Sequence, residues 1–109
     1  MKSYTNIPQS KKLAEKLPLR SADMHYERVY FEGKKSDWFV ALGPPIKSDD
    51  IIPCWSLAAL LSVLPSASLD SSDDHYFRLH CKEMFSEWHD NPVDATFEMV
   101  ELLHKENLI

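Results

Sequence analysis

Glycine is nearly missing from this chain: Gly33 and Gly43 are the only two in 109 residues. A loop that cradles phosphate needs several glycines in close spacing, so that class of nucleotide site is excluded. Cysteine is equally scarce, with Cys54 and Cys81 alone, and they indicate no disulfide framework. Long apolar runs are also lacking. The longest, Ile51 to Leu64, is interrupted by Pro53, Ser56 and Ser62 and falls short of the ~20 residues that span a bilayer. Residues 1–20 are polar and lysine-rich, with no apolar signal core. Positive charge is in deficit, and at a formal net charge of −5 the chain has no general electrostatic footprint for a nucleic-acid backbone. These absences point to a cytoplasmic protein with no membrane partner, for which nucleic acid is a disfavoured one.

What is present suits a packed fold. The hydrophobic share is 44% with twelve aromatic residues, and the length fits one domain over residues 1–109. The central stretch Pro53 to Pro65 reads as a core helix. Leu57, Leu60, Leu61 and Leu64 share one face at 100° per residue, and Ala58, Ala59 and Ser62 share the other. Both faces are therefore expected to be covered. The helix starts at Pro53, or just after Ser56 if that residue is the cap.

Around it, Thr5 or Asn6 caps a first helix that Pro18 ends, with Ser10, Leu13, Ala14 and Leu17 inward and lysines outward. His25 to Phe31 and Trp38 to Leu42 form a hairpin, with turn residues 32–37 between. Residues 46–50 read as loop, and residues 66–74, rich in Ser and Asp, as the most linker-like segment. Tyr76 to Cys81 alternates, with Phe77, Leu79 and Cys81 on one face, and Met84 to His89 returns beside it. Asn91 caps the last helix and Pro92 takes its first position. Val93, Phe97, Val100 and Leu103 form its core stripe, leaving Ala95 and Leu102 on the far side. The order α-β-β-α-β-β-α predicts a small α+β domain with helices packed on antiparallel sheet.

Charge is uneven along the chain. Residues 1–20 carry five cations against one acid, and residues 70–109 carry ten acids against three cations. The two ends either lie side by side or present a charged surface to a partner.

The metal-ligating types cluster at His75, His80, Cys81 and His89, but the spacing fits no standard zinc site, and His80 and Cys81 point to opposite strand faces. Asp70, Ser71, Ser72, Asp73, Asp74 and His75 contain the types of a hydrolase triad without the rigid turn a nucleophile needs. Cys54 precedes the central helix, where a thiol pKa is lowered, yet no local signature pairs it with a base, and a buried thiol is the plainer reading. No cofactor is indicated. On the last helix, Leu102 is either a lone exposed leucine that needs no explanation or, with Met99 and the terminal Leu108 and Ile109, part of an apolar edge suited to self-association or a partner.

Three blocks carry a resemblance. Residues 53–65, the block Asp90-Asn91-Pro92-Val93-Asp94-Ala95 with Glu98-Met99 and Leu103-His104, and the shorter Ser21-Ala22-Asp23-Met24 are similar to short uncharacterised proteins. Those proteins come from phage-like and mobile regions of Bacteroides-type gut bacteria. The resemblance implies a cytoplasmic protein of mobile-element origin and no activity. The leading expectation is a non-enzymatic interaction module that binds another protein. The other readings are a small enzyme or metal protein using His and Cys of residues 75–89, and then a nucleic-acid binder.

Overall fold

A computed structural model of the chain opens the first helix, α1 (Ile7–Ala14), on a reciprocal cap at Asn6: its side chain accepts from the Gln9 amide while the Gln9 side chain accepts from the Asn6 amide. Pro8 sits in the first turn, where the missing N–H is no loss. After a single 3-10 turn at Leu19–Ser21, the chain enters β1 (Met24–Glu27). That strand is the centre of a three-stranded antiparallel sheet, flanked by β4 (Phe39–Leu42) and β5 (Ile51–Cys54). The register brings Met24 opposite Cys54 and Tyr26 opposite Ile52, so these four side chains share the face that α1 covers.

Between β1 and β4 the chain makes an excursion. Strands β2 (Tyr30–Phe31) and β3 (Lys34–Lys35) form a ribbon whose two-residue turn, Glu32-Gly33, has positive φ at both positions. Its substantial packing is strand on strand alone. The predicted single hairpin is thus a longer one, with a small ribbon carried at its end.

The central stretch divides. Ile51–Cys54 is strand, correcting the expectation of loop followed by helix. Pro53 is tolerated because β5 is an edge strand paired on one side only. Ser56 caps a shorter helix, α2 (Leu57–Val63), by accepting from the Ala59 amide, and Asp23 accepts in turn from the Ser56 amide and hydroxyl. Leu60 and Leu64 are buried, and of the small face Ala59 is buried while Ala58 and Ser62 are exposed, so that face is covered only in part.

Residues 66–74 are not a linker. Ala67–Ser71 is strand β6, paired along its whole length with β7 (Phe77–Cys81), and β8 (Met84–Phe85) completes a second antiparallel sheet. The last helix, α3 (Pro92–Lys105), starts as predicted, with Asn91 accepting from the Asp94 amide. It packs on both α2 and β7. Two neighbours require a wide apolar stripe, so Ala95, Thr96 and Met99 are buried beside Val93, Val100 and Leu103.

The result is an α+β fold in which helices pack on antiparallel sheets, elongated at 51 × 32 × 19 Å. Its large core of thirteen buried residues joins α2, α3, β7 and Leu13 of α1, and a smaller one of Met24, Tyr26, Ile52 and Cys54 lies under the first sheet. The basic and acidic ends do meet: Lys2 bonds Asp94 at 2.7 Å and Lys16 bonds Glu101 at 3.1 Å.

Candidate functional site

The four metal-ligating residues are drawn apart by their elements. Cys81 points into the core, its sulfur near the carbonyl oxygens of Pro65 and Ser66. His80, on the opposite face of β7, stacks on Phe85 with ring centroids 4.2 Å apart. His89 sets its Nε2 2.7 Å from Glu98 on α3, and His75 occupies a left-handed position in the loop between β6 and β7. No group of three or more His, Cys, Asp or Glu side chains is placed to hold a metal ion.

Residues 70–75 do not assemble a triad either. Asp70 lies in β6 and pairs with Arg78 across the strands at 3.3 Å. Ser72 closes the loop instead, its hydroxyl accepting from the Tyr76 amide and its carbonyl from the His75 amide.

Cys54 belongs to a buried polar seam. Thr5 and Ser10 share a hydroxyl hydrogen bond at 2.8 Å, the Tyr26 hydroxyl donates to the Thr5 carbonyl at 2.7 Å, and the Cys54 sulfur is within 3.7 Å of the Thr5 hydroxyl. Burial pushes the Cys54 thiol up, outweighing the hydrogen bonds that favour its thiolate. Burial likewise raises Tyr26 to about 12, with smaller contributions from Cys54 and Tyr4. Cys54 is a buried thiol, and the alternative of helix-start activation fails because the residue ends a strand, with Trp55 and the cap Ser56 between it and α2. The seam holds protons and is suited to structure.

The apolar edge expected on α3 is also rearranged. Met99 is fully buried, Leu102 is half-buried against the large core, and only Leu108 and Ile109 are exposed. Leu102 packs inward for the same reason as Ala95, since α3 has two neighbours to cover.

The surface that gathers unusual side chains lies elsewhere, on the outer face of the β6-β7-β8 sheet. Alternation along β7 turns Tyr76, Arg78 and His80 outward as predicted. The strand pairing then adds what periodicity alone does not show. The Arg78 guanidinium lies 4.4 Å from the Phe85 ring centroid and 4.6 Å from that of Trp88, so a cation is held against two aromatic rings. Its Nε is buried there without a hydrogen-bond partner. The sequence signal was the run of Tyr76, Arg78, His80, Phe85 and Trp88; reading it required the register that sets Cys81 against Met84 and His80 against Phe85. At the loop end of this ladder is an open hollow of about 330 Å³ lined by Ser72, Asp74, Tyr76 and Trp88.

A second exposed group occupies the ribbon and the edge beside it. Phe31 is 74% exposed and Leu42 85%, and Val29, Tyr30 and Phe39 are exposed as well. Strand β4 has no partner on its outer side. The neighbouring Arg28 is held by Asp50 at 3.0 Å and lies 4.5 Å above Trp38.

No helix is long and apolar enough to cross a membrane. Comparison with protein-family models, curated proteins and solved structures yields no match.

Proposed function

We propose that this protein is a non-enzymatic interaction module that binds another protein. The observation that carries the reading is the distribution of aromatic rings. Of twelve, six are exposed (Tyr30, Phe31, Phe39, Tyr76, Phe85 and Trp88), while only Tyr26 and Trp55 are buried. Scattered exposed hydrophobics need no explanation, but these fall into two places, the ribbon with β4 and the outer face of the second sheet. Aromatic and arginine side chains dominate the energetics of protein interfaces. A cytoplasmic setting and a mobile-element origin follow from the resemblance of the three sequence blocks and suit an accessory role.

The test is site-specific photocrosslinking in a Bacteroides-type host, from positions 31 and 85, with exposed Lys12 on α1 as the control position. A discrete protein adduct from 31 or 85 and none from 12 is the expected result. The same pattern from all three positions, or no adduct from any, overturns the reading. Light scattering on the purified chain separates a second copy from a different partner. Phe31→Ser should leave stability within about 0.5 kcal/mol of the parent, since the ring buries little, and should remove any adduct that depends on the ribbon.

A further inference from the structure

The aromatic ladder of the second sheet contains one filled cation slot and, next to it, an open one. In the filled slot the Arg78 guanidinium lies against Phe85 and Trp88, and Asp70 supplies a carboxylate at 3.3 Å. The adjoining hollow repeats those components. Trp88 serves again as a wall, Tyr76 is the second ring, and Asp74 is the carboxylate. One thing differs: Asp70 has its cation, whereas Asp74 is in no ion pair with any Lys, Arg or His of the chain. The cup stands in the acidic part of the sequence, with Asp73 next to Asp74 and no Lys or Arg among its four lining residues.

We propose that this hollow receives a basic side chain of the partner protein, arginine in preference to lysine. The inference rests on the protein-interaction reading. A cation desolvated against an aromatic ring and met by a carboxylate is favoured on two counts, the ring quadrupole and the ion pair. Arginine fits better because its guanidinium is planar, can fork onto a carboxylate, and stacks on rings, as Arg78 already does in the neighbouring slot. The hollow is shallow and walled by four residues, unlike the deep clefts that enclose most of a small ligand. A side chain delivered by a larger partner brings additional contacts from outside the cup, so the structure favours that source over a free organic cation.

The experiment uses NMR of the full-length, isotope-labelled chain, following the Trp88 indole N–H and the amides of residues 72–76. Four probes are titrated: acetyl-Gly-Arg-Gly-amide, its lysine and citrulline counterparts, and choline. The arginine peptide should give saturable shifts confined to these signals, with the lysine peptide weaker and the uncharged citrulline peptide at least about tenfold weaker. Asp74→Asn, an exposed loop change that leaves the core untouched, should weaken the arginine peptide about fivefold, and Trp88→Leu should do so at least as strongly. Unchanged amide positions elsewhere show that both variants are folded.

Equal binding of arginine and citrulline peptides, or an Asp74→Asn protein that binds arginine as the parent does, overturns the proposal. Tighter binding of choline than of the arginine peptide reassigns the cup to a free quaternary ammonium and overturns the partner side chain. No response to any probe, alongside a discrete crosslinked protein from position 31, removes the cation site while leaving the interaction module standing.

Discussion

The two three-stranded sheets are similar in size and are held down by different means. Under the first, the buried apolar group is four residues, and a seam of hydroxyl, thiol and carbonyl groups from Thr5, Ser10, Tyr26 and Cys54 runs through it. Under the second, thirteen buried residues, ten of them from three helices and β7 and the others Ala22, Trp55 and Leu64, form a larger apolar core. An apolar core draws on burial in proportion to area and tolerates changes of shape, whereas a polar seam depends on every partner being present. The first half is therefore the more particular of the two, and the second the more strongly held.

The largest test of that contrast is Trp55→Ala. Trp55 is fully buried in the large core, with its indole N–H donating to Ser21 at 2.9 Å, and follows directly after Cys54 of the small core. Its removal should cost about 3–5 kcal/mol in urea unfolding, enough to abolish cooperative folding in a marginal domain. Thr5→Ala is the corresponding test of the seam. The Thr5 hydroxyl accepts from the Trp55 amide at 3.2 Å and bonds Ser10, so deletion orphans two buried groups and should cost about 1–3 kcal/mol. Equal destabilisation by Thr5→Ala and Trp55→Ala would remove the ranking of the two halves, and a larger loss from Thr5→Ala would reverse it.

The smallest effect is expected at the strap between them. Burial tends to raise the Asp94 carboxyl, but hydrogen bonds from Lys2, Gln9 and Asn91 with the Lys2 charge outweigh it, holding it below its ordinary 3.8. A depressed carboxyl stabilises the fold above its unfolded value and loses that contribution as pH falls through the folded one. The parent should thus lose stability progressively below pH 3.8. Asp94→Asn should start about 1 kcal/mol lower at neutral pH and show a shallower acid limb. An identical acid limb in both proteins would show that the strap carries none of this dependence.

Much of the second half was legible in the sequence, because its signals are local. Asn91 and Pro92 mark the start of α3, the alternation of Phe77, Leu79 and Cys81 gives the inner face of β7, and Ser56 is one of the two starts read for the central helix. The failures come from context. Pro53 reads as a helix start but sits in a strand because only an edge strand can omit its N–H. Ser68, Asp70 and Ser71 have turn composition, yet their backbone pairs with β7, whose alternating side chains supply the core contacts. Ala95 and Met99 fall outside a narrow stripe and are buried because α3 meets a helix and a sheet at once. The ladder was half-visible: Tyr76, Arg78 and His80 were placed on one face, but Phe85 and Trp88 join them only through a pairing between separate segments.

The position of the first five residues has a consequence for how the chain is made. The Ser3 carbonyl accepts from the Leu57 amide, Thr5 exchanges backbone contacts with Trp55, and Lys2 reaches Asp94, 92 positions later. Lys2 leaves the ribosome 92 positions ahead of Asp94, so this contact waits until α3 has been made. The first sheet is complete in sequence by Cys54 and its seam by Trp55, so both can form early, whereas the bonds of Lys2 and Gln9 to Asp94 wait for α3. Leu13 of α1 joins a core whose α3 members, Val93 to Leu103, are the last of the cluster to be made, so its burial is completed only with that helix.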